Sequence, residues 1–254
     1  YKGVAYDVIV TSDGGYAVGG TEIGSSNKNV FLLKTDNNGN VQWAKYYGGT
    51  SDDEGYSLKQ TSDSGYIIAG YTYSFGQGGW DVYLLKVGAT GSLQWTKTYG
   101  GNRYDFANHI EITNDGGFIL TGETSGNGTG TIYDNDLFLM KTDSAGNSDW
   151  SYTYGGNSGE GGTSVKQTSD NGFIATGCTY SSGAGQSDVY LLKTDSAGSV
   201  LWSSTFGGAS PEQGNDVIQH GTNYFVIGRT RNFSKGFEDV YLIKTDSIGT
   251  GTCK

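Results

Sequence analysis

Apolar and polar residues alternate along this chain in short bursts set apart by glycine and acidic turns. In "SLQWTKTY" (Ser92 to Tyr99) Leu93, Trp95 and Tyr99 share one face of a strand, with Lys97 the only charge among them; a period of two is the mark of a half-buried strand. "DVYLLK" (Asp81 to Lys86) is rich in β-formers on both faces, which predicts a strand covered on both sides. "GYSLKQTSDSGYIIAGYT" (Gly55 to Thr72) divides into two further strands around Asp63-Ser-Gly, the polar, glycine-containing connection of a hairpin.

This set of four predicted strands recurs. Tryptophans stand at Trp43, Trp95, Trp150 and Trp202, and each is followed by an aromatic-Gly-Gly element at Tyr47, Tyr99, Tyr154 and Phe206. The turn before the second strand recurs as Asp13-Gly-Gly-Tyr, Asp63-Ser-Gly-Tyr, Asp115-Gly-Gly-Phe and Asp170-Asn-Gly-Phe, with a shorter, eroded fifth copy in "HGTNYFVIG". Five copies of about fifty residues cover the chain, leaving no segment for a separate catalytic domain. Within each unit the tryptophan is expected to fill the space between adjacent sheets. Gly20, Gly70, Gly122, Gly177 and Gly228, with Ala69, are expected to let neighbouring sheets approach closely. Asp81, Asp136, Asp188 and Asp239, each at the head of a third strand, are expected to accept backbone N–H bonds from a neighbouring loop.

The pattern "GGNSGEGGTSVKQTSDNGFIATGCTYSSGAGQSDVYLLKTDSAGSVLWSSTFGG" resembles the β-propeller repeat of secreted bacterial and archaeal proteins, with four-stranded blades of the Kelch and quinoprotein type. The expected fold is therefore all-β: a single five-bladed β-propeller domain over 1–254, with blades near 1–49, 50–101, 102–156, 157–208 and 209–254. Only Thr250 to Lys254 remain for the last outer strand, which the repeat makes eight residues long, so the fifth blade is expected to lack most of it. Such an edge exposes unpaired N–H and C=O groups, which a strand from another subunit can cover. The resemblance implies a fold and an extracellular or cell-surface setting, and no activity.

Composition narrows the function. A formal net charge of -10, with lysines spread one per repeat, argues against nucleic-acid binding and against docking on an anionic membrane, and no apolar run reaches membrane-spanning length. The two cysteines, Cys178 and Cys253, are too few for a disulfide framework and stand as one bridge or two thiols. Asn127-Gly-Thr and Asn232-Phe-Ser are candidate glycosylation sequons.

Candidate site residues fall on loops. An acid stands four positions after each Gly-Gly, at Asp53, Asp105, Glu160 and Glu212. Together with the third-strand acids these suit Ca²⁺, a cation that takes hard oxygen ligands, or, as the simpler reading, hydrogen bonds from blade to blade. No other cofactor is implied. Trp80 departs from the repeat, and with Tyr73 and Phe75 it offers a stacking surface for a sugar; the lengthened third loop adds Asn127 and Tyr133. The two histidines sit at unlike strand positions, so no His metal cluster or Ser-His-Asp arrangement is indicated, and no catalytic residue is assigned. The leading expectation is a non-enzymatic extracellular module for surface interaction or assembly, its partners other protein subunits or cell-surface components, polymerising by strand donation. The alternatives are a lectin-like carbohydrate-binding propeller and a glycosidase or polysaccharide lyase.

Overall fold

A computed structural model describes residues 2–125, 135–232 and 237–253. The described residues form twenty strands and no helix. The first sheet contains β1 (Gly3–Val10), β2 (Tyr16–Ile23), β3 (Lys28–Thr35) and β4 (Val41–Tyr47). The second contains β5 (Asp53–Gln60), β6 (Tyr66–Thr72), β7 (Asp81–Val87) and β8 (Leu93–Tyr99). The third contains β9 (Asp105–Ile112), β10 (Phe118–Ser125), β11 (Asn135–Thr142) and β12 (Ser148–Tyr154). The fourth contains β13 (Glu160–Gln167), β14 (Phe173–Thr179), β15 (Asp188–Thr194) and β16 (Val200–Phe206). The fifth contains β17 (Glu212–His220), β18 (Asn223–Thr230), β19 (Asp239–Thr245) and β20 (Gly251–Cys253). In all five sheets the strands lie side by side in chain order. The chain divides into two compact units, Tyr1–Ile112 and Thr113–Lys254.

In the first unit, Ala17, Val30, Leu32 and Tyr47 of the first sheet meet Leu58, Tyr66, Ile68, Tyr83 and Leu85 of the second in one core cluster. Trp43 packs into it with its indole edge-on to Tyr66, ring centroids 5.9 Å apart. The second unit repeats the arrangement twice. Ile119, Leu137, Leu139 and Trp150 meet Val165, Phe173 and Ala175, and Ile174, Val189, Leu191 and Trp202 meet Val217, Tyr224, Val226 and Tyr241. Trp43, Trp150 and Trp202 therefore sit between consecutive sheets. Tyr47 and Tyr154 reach further, donating their hydroxyls to the carbonyls of Gly91 and Gly198 in the next sheet's last turn.

The turn aspartate has a partner that sequence reasoning did not assign. Lys34, Lys86, Lys141 and Lys193 are buried on their third strands, and each ammonium lies 2.9 Å from the carboxylate of Asp13, Asp63, Asp115 and Asp170 respectively. Burial alone raises a carboxyl's pKa. At Asp63 the Thr61 hydroxyl, the Lys86 ammonium and the Gly65 N–H outweigh it and bring the group down to about 2; matching groups do the same at Asp115 and Asp170. The eroded fifth turn has no aspartate, and Lys244 instead stands 5.8 Å over the ring of Phe225.

The role expected of Gly20, Gly70, Gly177 and Gly228 is corrected by the structure. A Cβ at any of them would strike the carbonyl of Val4, Glu54, Gly161 or Gln213, on the first strand of the same sheet. In each of these four sheets the first strand carries a one-residue bulge close by, at Tyr6, Tyr56, Thr163 and Asn215. Close approach between sheets falls to other glycines: Gly55 lies against Val30 of the first sheet, and Gly214 against Val189 of the fourth.

β20 pairs with Ile243, Lys244 and Thr245 alone, whereas β16 pairs with its neighbour from Val189 to Thr194. The fifth sheet thus lacks most of its outer strand within this chain.

Two substitutions test this local account by chemical denaturation. Gly70→Ala forces a methyl against backbone and is expected to cost about 2 kcal/mol. Ser64→Gly frees a residue held at φ 63 and is expected to gain about 1 kcal/mol.

Candidate functional site

The acids of the repeat converge in pairs on the Gly-Gly turns. A side chain at Gly100 would collide with both Asp81 and Asp105, one at Gly155 with Asp136 and Glu160, and one at Gly207 with Asp188 and Glu212. Only glycine leaves both carboxylates room. One acid of each pair ties the turn down, Asp105 accepting the Gly101 N–H at 2.9 Å, Glu160 that of Gly156 at 2.8 Å and Glu212 that of Gly208 at 2.8 Å; at the first turn Asp53, beside Asn29 in place of a second acid, accepts the Gly49 N–H at 2.7 Å. Asp53, Glu160 and Glu212 also accept a threonine hydroxyl from the second strand, from Thr72, Thr179 and Thr230 respectively. The other acid accepts an N–H from the loop entering its own strand, Gln77 for Asp81 and Ala184 for Asp188, so the donor is the loop of the same sheet. Asp239, the fifth copy, is exposed. Among the described residues no three His, Cys, Asp or Glu side chains form a group able to hold a metal ion.

Burial pushes the Asp81 carboxyl up, the Gln77 N–H offsets part of this, and the charge of Asp105 pushes it up further; Asp188 behaves alike beside Glu212. Around this fixed frame the repeat varies at a few positions on the loop side of each sheet. In the second sheet they carry Glu54, Tyr71, Tyr73 and Trp80; in the fifth, Gln213, Arg229, Arg231 and Glu238.

The second-sheet set is an aromatic cluster. Trp80 is 37% exposed and stacks on Tyr71 at 4.9 Å, with Tyr104 at 5.1 Å and Phe106 edge-on at 6.4 Å. Beneath it Glu54 is buried and accepts hydrogen bonds from Tyr71 at 2.7 Å, Tyr56 at 3.1 Å and the Lys28 ammonium at 2.5 Å. Burial raises the Glu54 carboxyl, but Lys28 and the two phenols outweigh it and hold it below the usual carboxylate range. Tyr73 and Phe75 are exposed on the same loop, where Phe75 packs towards Tyr83 rather than Trp80. Sequence reasoning singled out Trp80 and missed Glu54, Tyr71 and Tyr104. The signal was present, because Glu54 holds a position that Phe106, Gly161 and Gln213 occupy elsewhere.

In the second unit the corresponding positions line a cleft of about 220 Å³, with Cys178, Tyr180 and Ser187 on one side and Arg229, Arg231 and Glu238 on the other. Glu238 holds both guanidinium groups, Arg231 at 2.7 Å and Arg229 at 3.3 Å. Cys178 has no disulfide, and burial pushes its thiol up to about 11. Asn232 is described and donates its N–H to Thr230. Asn127 and Tyr133 lie outside the described residues.

No family model and no curated protein sequence matches the chain. Solved structures match it in shape. The WD40 domain of Pan2 from Neurospora crassa aligns with a TM-score of 0.53 at 10% identity, covering 96% of this chain and 76% of that one. An acylaminoacyl peptidase from Pyrococcus horikoshii aligns with a TM-score of 0.52 at 10% identity, covering 98% of this chain and 38% of that one. At such identities the likeness shows the fold alone, and the fold is a β-propeller of five four-stranded blades.

The paired acids give a pH test. Because the Asp81 carboxyl is raised in the folded protein, its protonated form stabilises the fold at low pH, and that contribution is lost as pH rises through the folded value. Asp81→Asn is therefore expected to gain stability over the parent at pH 7 and to lose that advantage near pH 4, read from melting temperatures at the two pH values.

Proposed function

We propose that this chain is a non-enzymatic β-propeller interaction module acting outside the cell or at its surface, one of the secreted propeller repeats that its sequence resembles. Its partners are other protein subunits or cell-surface components. The observation that carries the reading is the division of labour within the repeat. The recurring acids are engaged in holding turns, while the residues that differ from blade to blade stand on the loop side, where recognition needs them. Assembly by strand donation belongs to the same reading, because the described part of β20 is three residues long and pairs with Ile243, Lys244 and Thr245. Replacing Lys254 by the sequence Ser204 to Phe206 would lengthen β20 and fill that edge. The extended chain is expected to lose any fibres the parent forms, as seen by electron microscopy; fibres that persist would overturn the strand route.

A second reading, glycan binding, is favoured by the exposed aromatic row Tyr73, Phe75, Trp80 and Tyr104. Aromatic pairs contribute about 1 kcal/mol beyond the area they bury, and a sugar ring laid on an indole face is expected to gain a similar amount. Trp80→Ala is expected to weaken glycan binding about tenfold on an array, and unchanged binding removes this reading.

A further inference from the structure

We infer that the cleft between the fourth and fifth sheets binds a neutral sugar ring, held by hydrogen bonds to Arg229, Arg231 and Glu238 and by stacking on Tyr180. The ligand class rests on the second reading above, but the site is a different one, made wholly from residues of the second unit.

The cleft follows from what the repeat places at matching positions. Where the second sheet carries Tyr71 and Trp80, the fourth carries Cys178 and Ser187, so side chains that fill the loop side of one sheet are small in the other. The space left is about 220 Å³, below the roughly 300 Å³ at which drug-sized sites begin. It suits a single ring.

The fifth-sheet wall is a continuous hydrogen-bonding array. Gln213 faces Arg229 across β17 and β18, and its side-chain oxygen accepts Arg229 Nε at 3.1 Å and Nη2 at 2.7 Å. Nη1 of the same guanidinium lies 3.3 Å from Glu238 Oε1, which also accepts Nε and Nη2 of Arg231 at 3.0 and 2.7 Å. These bonds fix the groups and leave capacity over, because a guanidinium has five N–H donors. Among the described residues, Glu238 Oε2 meets only Arg229 Nη1, at 3.4 Å. Arg231, and Arg229 with it, hold the Glu238 carboxyl below the usual carboxylate range, so it stays an ionised acceptor at neutral pH.

Charge balance decides what this array can hold. Arg229 and Arg231 stand against Glu212 and Glu238 in the lining, so a small anion or cation finds no net attraction there. A hydroxyl donates and accepts at once, and neighbouring sugar hydroxyls can take an N–H from a guanidinium while giving an O–H to Glu238. The fourth-sheet wall supplies the apolar half: Tyr180 is 57% exposed, and burial keeps the Cys178 thiol protonated. A ring with hydroxyls at its rim and C–H bonds on its face matches both walls.

Arg103, Arg229 and Arg231 are the only arginines in the chain, so their Nε–H signals in a heteronuclear NMR spectrum read the site directly. Titration with glucose, galactose, mannose and N-acetylglucosamine is expected to shift the Arg229 and Arg231 signals and leave that of Arg103 in place, with a dissociation constant of about 1 mM for the best sugar. Tyr180→Ala is expected to weaken binding about fivefold, and Arg229→Ala, followed through the Arg231 signal, about tenfold. Glucuronate is expected to bind the parent no better than the neutral sugars and to gain about fivefold in Glu238→Gln, where the balance tips to positive. Trp80→Ala is expected to leave the arginine shifts as they are. No shift with any of the sugars up to about 50 mM, parent-like affinity in both Tyr180→Ala and Arg229→Ala, or tighter binding of glucuronate than of every neutral sugar by the parent overturns the inference. If Trp80→Ala abolishes the shifts, the sugar sits on the aromatic cluster, and the glycan reading survives without this cleft. If the shifts persist while Trp80→Ala leaves array binding unchanged, the cleft stands and the aromatic platform falls.

Discussion

Everything in this molecule depends on one contact, the burial of one sheet's apolar face by the next. A single four-stranded sheet of this length has two faces to cover and only its own edges to offer, so it has no core until a neighbour arrives. Leu58 illustrates the arrangement: it stands on the first strand of one sheet but is buried among Ala17, Val30 and Leu32 of another. Stability is thus a property of neighbours. Removing Leu58 would cost about 3 kcal/mol, and the cost would be shared between two sheets rather than charged to one.

The polar chemistry serves that contact. Sheets meet correctly only if the chain leaves one and enters the next at a fixed angle, and the Gly-Gly turns with their paired carboxylates set the angle. Within a sheet, the buried lysine and turn aspartate hold the far end. These are charged groups out of water, tolerable because each carboxylate is half in solvent while its ammonium also donates to a backbone carbonyl, as Lys34 does to Thr35 and Lys193 to Thr194.

The frame was legible in the sequence because it repeats. Four occurrences of tryptophan, Gly-Gly and the turn acid make strand order and sheet number readable without coordinates, and the short last strand follows from counting residues. What repetition hides is which partner each recurring residue chooses. The glycine after the second strand's apolar run and the glycine of the first strand both recur, yet the first answers to a carbonyl of its own sheet and the second to the neighbouring sheet. The variable positions were only half legible. Trp80 announces itself as an unrepeated indole, whereas Glu54, an ordinary acid among 26 acidic residues, becomes distinctive only when Tyr56, Tyr71 and Lys28 are seen to converge on it.

The bulge in each first strand has a bearing on how such a chain changes over time. Tyr6, Tyr56, Thr163 and Asn215 are surplus residues, taken up between two ladder rungs and paired with none. Each blade uses this position for a different contact: Tyr56 donates its hydroxyl to Glu54, whereas Thr163 donates to the carbonyl of Thr176 in its own sheet and that of Gly214 in the next. One surplus residue thus gives each blade a side chain whose task is not set by the ladder.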